Sequence, residues 1–269
     1  MLDPGGRLLS RSDPVLLGVV HLPPLPGSPG FSRDGMGPVL EAAQRDSERL
    51  LEAGLDGYII ENFGDAPFFK GAVPAHTVAA MTRVATLLAR SDAIVGVNVL
   101  RNDVQSALAI ATVTDLDFVR VNVHVGAMVT DQGLIEGNAA QTLRLRESLG
   151  SRVRIAADVD VKHARPLAAG FDRGEAARET YERGQADILI VSGVATGAPV
   201  RREELEQVSR AAPETPVWIG SGATAESARD LLTMAHGIIV GSSIKENGLV
   251  REPVDLDRAR RFVDAARSA

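Results

Sequence analysis

The sequence predicts a closed barrel of eight parallel strands, each followed by a helix, and three observations lead there. Short runs rich in Val and Ile alternate with amphipathic stretches rich in Ala, Arg and Glu along the whole chain. Strands joined through helices run parallel, because the crossover returns the chain to the same edge of the sheet. The strand segments (LLGVV, DILIV, GIIV) are apolar throughout, as expected when helices cover one face and a packed interior the other. Eight such units favour closure into a single (β/α)₈ TIM barrel. The competing arrangement, a doubly wound open sheet, commonly carries a Gly-x-Gly-x-x-Gly turn after its first strand, and this chain has none there.

The elements follow in order. The first strand is expected at 15–20, and a helix across 38–53 ends at Gly54, a residue suited to a left-handed C-cap. Strands at 57–60, 93–99 and 118–123 alternate with helices at 75–89 and 103–113. The second half repeats the rhythm with helices at 139–149, 175–183, 202–211, 225–233 and 256–266. Its strands fall at 153–159, 187–191, 217–219 and 237–240, with Pro213 and Pro216 punctuating the turn before 217. No low-complexity linker interrupts the pattern. The chain 1–269 therefore reads as one barrel domain, with 1–13 as an N-terminal extension.

Composition narrows the function. The 269 residues carry a formal net charge of −6 with both signs mixed along the chain. A concentrated basic face is missing, so nucleic acid is not an expected partner. Cysteine is absent, which excludes disulfides, thiolate nucleophiles and Cys-based metal sites and suits a cytoplasmic location. No apolar run reaches the ~18 residues of a membrane span, and the N-terminal stretch lacks the apolar core of a signal peptide. No integral membrane segment is expected. A homo-oligomer is the expected assembly.

Function-bearing residues cluster on one side of the strands. The segments before the strands (AGLDG, TVTDLD, ERGQAD) are bland, whereas those after them are polar and glycine-rich. Barrel chemistry sits at the C-terminal ends of the strands, so this asymmetry predicts a site there. Ser192-Gly193, Gly220-Ser221-Gly222 and Gly241-Ser242 are phosphate-binding candidates, because glycine lets backbone N–H groups approach an anion at a following helix N-terminus. The alternative is that they are tight turns with Ser or Thr caps. Asp158, Lys162, His21 and Glu61 are the catalytic candidates. Asp158 and Glu61 end strands, His21 shares the parity of Leu17 and Val19 and can shuttle protons, and Lys162 can neutralise negative charge. Asn62, Asp65, Asn98, Arg101, Asn122, Asp131, His163 and Lys245 are substrate-binding candidates at the same strand ends and loops. Arg120, charged within an apolar strand, needs Glu61 or Asp158 as partner and is read as an internal ion pair. The long loop 124–137 is a candidate lid, or else an insertion packed on the rim. His76 is read as a helix cap, and His236 lies on the far face from the chemistry. A divalent cation can be drawn among Glu61, Asp65, Asp131 and Asp158, but no metal motif supports it, so metal and cofactor are left unassigned.

Taken in order, GVVHLPPLPGSPG, DGYIIENFGDAPF, GVNVLRND, FVRVNVHVGAMVTDQGLIEG, ADVDVKHA, ADILIVSGVATG, IGSGAT and GIIVGSSIKENG resemble the BtpA family, also called BtpA/SgcQ, from about Val15 to Val263. The resemblance implies a barrel related to phosphate-binding barrels. It also implies a name drawn from photosystem I biogenesis, with no settled reaction common to the members. Ser227, where Asn is expected, and Ala235-His236 depart from the pattern. Two functions compete. One is an enzyme acting on a phosphorylated small molecule (sugar phosphate or nucleotide) by isomerase, epimerase or lyase chemistry. The other is a non-catalytic biogenesis or stability factor for a membrane protein complex, which needs an exposed partner surface.

Overall fold

The computed structural model describes residues 8, 13–90, 92–161, 164–167, 170–193 and 200–268. Eight parallel strands close on one another: β1 (Val15–His21), β2 (Gly57–Glu61), β3 (Ile94–Asn98), β4 (Phe118–Val121), β7 (Arg154–Asp158), β9 (Ile188–Val191), β10 (Val217–Ile219) and β11 (Gly237–Val240). β11 pairs with β1 through Val15↔Gly237 to Gly18↔Val240, which completes the ring. The (β/α)₈ barrel expected from the sequence is therefore the fold. Its helices are α1 (Gly37–Glu52), α2 (Ala75–Leu88), α3 (Val104–Val113), α4 (Ala139–Ser148), α5 (Arg173–Arg178), α6 (Arg202–Ala211), α7 (Ala225–Leu232) and α8 (Leu256–Arg267). α5 runs on into a turn of π-helix at Glu179–Arg183, which together cover the expected helix there.

Two apolar layers follow from the strand period of two. One parity packs outward against the helices, as Leu16, Val20, Tyr58, Ile60, Val95, Val97, Val119 and Leu189 do. The other fills the barrel, as Val15, Leu17, Val19, Ile59, Ile94, Phe118, Ile190, Trp218 and Ile239 do. Phe118 and Trp218 meet edge to face inside it, centroids 5.5 Å apart. Leu8, ahead of the barrel, joins this inner cluster.

The bland segments before the strands have a structural task that sequence reading missed. Asp56, Asp117 and Asp187 each precede a strand and accept the backbone N–H of Leu16, Val95 and Ile155 on a neighbouring strand, each at 2.8 Å. At the other end, the loop 124–137 is a hairpin. β5 (Ala127–Thr130) pairs antiparallel with β6 (Gly133–Glu136), and β5 also pairs with β8 (Arg165–Pro166). Val123, Met128, Ile135 and Val161 form a small core beneath it. Among the described residues, no helix is long and apolar enough to cross a membrane.

Candidate active site

The inward parity that carries apolar residues along the barrel carries polar ones at its C-terminal end. His21, Glu61 and Asn98 are the last inward positions of β1, β2 and β3, and the ladder sets them side by side (His21↔Glu61, Glu61↔Asn98). Arg120 follows Phe118 on β4, Asp158 follows Ala156 on β7, and Gly220 follows Trp218 past β10. Above them opens a cleft of about 500 Å³. His21, Glu61, Arg101, Arg120, Asn122 and Asp131 supply its polar wall, and Phe63, Phe68, Leu100, Val161 and Val250 its apolar one.

Two polar groupings lie here. In the first, Asn98 donates from Nδ2 to Glu61 Oε2 at 2.8 Å, and His21 Nε2 lies 3.9 Å from Glu61 Oε1. The Phe63 ring meets His21 edge on, with centroids 5.0 Å apart. In the second, Arg120 donates to both carboxylate oxygens of Asp158, at 3.0 and 2.8 Å. Asn122 and Ser192 donate to the same carboxylate at 3.0 and 3.1 Å. Burial pulls the Arg120 guanidinium down, but Asp158's charge and hydrogen bonds, with Glu61 beyond, leave it above its ordinary value. Asp158 is thus the partner that Arg120 requires, and it sits behind Arg120 rather than lining the cleft. Arg101 differs: burial lowers its pKa against the opposing pull of Asp158, Glu61 and Asp131.

The glycine turns line the same cleft. Gly220, Ser221, Gly222, Ala223, Thr224, Gly241, Ser242 and Ser243 all face the cleft. Gly222 has φ +81°, a conformation that suits glycine. Any Cβ at Gly220 would lie 2.5 Å from Ser192 Oγ and 2.9 Å from Arg120 Nη2, so only glycine leaves room for the ion pair. Ser243 Oγ donates to Ala223 O at 2.8 Å, tying the two turns together. Ser227, the apparent departure, accepts the Thr224 N–H at 3.0 Å and closes the first turn of α7. The Ser221 hydroxyl is buried and has no hydrogen-bond partner, and the same holds for Asn122 Oδ1. Both residues line the cleft.

Several expected ligand contacts have internal tasks instead. Asp65 accepts the Leu25 N–H at 2.7 Å and an Asn62 amide hydrogen at 3.0 Å, while Asn62 Oδ1 accepts the Leu100 N–H. These two residues hold the loops after β1, β2 and β3 together. Asn98 orients Glu61, and Ser192 orients Asp158. Lys245 departs furthest from expectation. It is 1% exposed and directs its ammonium at Asp46 of α1, 2.6 Å away, outside the cleft. Gly193 is described but does not line the cleft, and Lys162 and His163 lie outside the described residues. Asp131, at the tip of the hairpin, does reach the cleft, so the loop 124–137 contributes to the site. His236 accepts the Val217 N–H at the far end of the barrel. Among the described residues, no group of three His, Cys, Asp or Glu side chains could hold a metal ion.

Sequence reading missed the aromatic wall. Phe63 and Phe68 were passed over because loop phenylalanines in ENFGDAPF carry no periodicity, although their spacing around the Asp65 turn was available.

Comparison with known proteins brings in relatives along the whole chain. The family model described as BtpA family matches residues 12–268. The photosystem I biogenesis protein BtpA of Synechocystis is 48% identical over 93% of this chain and 87% of its own length. An uncharacterised protein of Thermococcus kodakarensis is 45% identical over 94% of this chain and 95% of its own. A mitochondrial uncharacterised protein of Caenorhabditis elegans is 34% identical over 96% of this chain and 94% of its own. Among solved structures, Mycobacterium tuberculosis tryptophan synthase superposes with a TM-score of 0.63 at 16% identity, over 96% of this chain and 94% of that one. 3-Hexulose-6-phosphate synthase gives 0.58 at 15%, over 93% and 99%. At such identities the likeness is one of fold.

Proposed function

The chain belongs to the BtpA family, and from that premise we propose that it is an enzyme acting on a phosphorylated small molecule, a sugar phosphate or nucleotide, by acid/base isomerase, epimerase or lyase chemistry. The observation that carries this reading is the meeting of two glycine–serine turns with the His21–Glu61 pair in one cleft. A phosphate at turns 220–224 and 241–243 receives backbone N–H groups, the Ser221 hydroxyl and the positive end of α7. A methyl group added at Gly241 would touch the His21 ring at 3.4 Å. Substrate atoms adjoining the phosphate therefore fall beside His21 and Glu61.

This pair divides the proton work. Glu61, held by Asn98, removes a proton from carbon or oxygen, and His21 returns one to the neighbouring atom. Arg101 and Arg120, on the same wall, stabilise the negative charge that develops on the substrate oxygen. Asp158 balances Arg120 in this scheme and is not the base. Lys162, outside the described residues, is the candidate for neutralising further negative charge. Asn122 and Asp131 supply further substrate contacts.

Calorimetric titration against a panel of sugar phosphates and nucleotides tests the reading. At least one member is expected to bind, and S221D, which sets a carboxylate against the phosphate, is expected to weaken it tenfold or more. No binding across the panel overturns it. The name of the Synechocystis relative favours a second reading, a non-catalytic biogenesis or stability factor for a membrane protein complex. The animal relative argues against a photosystem as the partner common to the family. An E61Q/H21N variant that keeps any assembly phenotype would support that second role.

A further inference from the structure

We infer that the ligand is bipartite: a phosphoribosyl compound whose phosphate sits at the glycine turns and whose planar heterocycle lies against Phe63 and Phe68. This inference rests on the phosphate reading above and narrows its substrate class. The cleft is chemically divided. Its turns offer backbone N–H groups and hydroxyls, whereas Phe63, Phe68, Leu100, Val161 and Val250 give its lining an apolar part. The two phenylalanines lie 6.4 Å apart and tilted, and Phe63 also meets the His21 ring. A run of successive neighbours thus leads from Gly241 through His21 and Phe63 to Phe68.

A simple sugar phosphate fits this wall poorly. Its hydroxyls need partners on every side, and an apolar surface leaves them unpaired at a cost in free energy. A π-face loses nothing there and gains stacking. The cleft volume of about 500 Å³ is that of a pocket for a drug-sized ligand and exceeds what a phosphorylated pentose fills. Asn122 adds a specific requirement. The residue is 6% exposed, its Nδ2 is held by Asp158, and its Oδ1 has no partner. It calls for a ligand hydrogen-bond donor, such as a ribose hydroxyl or a ring N–H. Asp131, brought over the cleft by the hairpin, accepts a further donor of the same kind.

The test is calorimetric binding of ribose 5-phosphate and of the four common nucleoside 5′-monophosphates to the wild type and to F68L. At least one nucleotide is expected to bind about tenfold or more tighter than ribose 5-phosphate, as the stacking of one base on an aromatic ring supplies. F68L, which keeps the apolar bulk and removes the ring, is expected to cut that ratio to threefold or less. If ribose 5-phosphate binds and no nucleotide binds tighter, the bipartite ligand is wrong while the phosphate reading stands. If F68L weakens both probes equally, Phe68 is structural and the inference fails. If no phosphate compound binds, both readings fall.

Discussion

Asp158→Ala is expected to damage the fold before it damages any chemistry. The substitution deletes both hydrogen bonds of a buried ion pair and leaves the Arg120 guanidinium, 10% exposed in its side chain, without its counter-charge. It also strips the Asn122 amide and the Ser192 hydroxyl of their acceptor. Breaking such a pair by removing one partner costs about 3–5 kcal/mol. At about 2–4 °C per kcal/mol for a chain of this size, the unfolding midpoint should fall by about 6–20 °C. Arg120 is held above its ordinary pKa, so its stabilising contribution is fully present below the ordinary guanidinium range and is lost only above the raised value. The fall should therefore be the same across the neutral pH range. The double variant R120M/D158L, which exchanges the pair for apolar side chains, should recover the part due to the unpaired guanidinium, while Asn122 and Ser192 still lack their acceptor. Scanning calorimetry of the three proteins decides the matter. A D158A midpoint within about 2 °C of wild type, combined with lost ligand binding, would refute the reasoning and return Asp158 to the role of catalytic base.

Two further outcomes follow from buried groups. Lys245→Met takes from Asp46 its buried partner, leaving it the half-exposed Arg45 at 3.5 Å and the Val254 N–H at 3.2 Å, and should lower stability by about 3 kcal/mol while ligand affinity stays within about twofold. Chemical denaturation and titration of K245M read both quantities, and a selective loss of affinity would restore Lys245 to the site. His124 is 1% exposed, its Nε2 lies 2.8 Å from Gly184 O, and burial lowers its pKa. The unfolded chain then takes up the proton first. Its contribution is full above the ordinary histidine range and is lost as pH falls toward the folded value, by up to about 1.4 kcal/mol per pH unit. Urea denaturation between pH 7 and 5 should show a slope that H124Q flattens, and equal slopes would remove His124 as the cause.

Strand period and loop composition made much of the barrel readable in the chain. Val15, Leu17, Val19 and His21 share one parity, so an apolar interior fixes where the histidine goes once a helix covers the other face. The same holds for Ile59 and Glu61, and for Phe118 and Arg120. The hairpin was less legible. Its four-residue strands are short and half exposed, and Ala-Met-Val-Thr reads as strand only when β6 and β8 lie alongside it. Asp56, Asp117 and Asp187 look like ordinary turn residues until the barrel closes and brings a neighbouring strand's N–H to each.

By itself the sequence determined periodicity: which residues alternate, which helices follow, and which end of every strand carries polar side chains. That information is local, because it rests on the geometry of a few successive residues. The partner of each polar group was decided only by the tertiary structure. Lys245 stands among the polar residues after the last strand, yet its ammonium is claimed by Asp46, 199 positions earlier. Asn62 and Asp65 sit in the most conspicuous motif of the chain, yet spend their hydrogen bonds on the backbones of two other loops. A buried charge or amide must be satisfied by whatever the fold brings within hydrogen-bond reach, and distance along the chain does not enter that requirement.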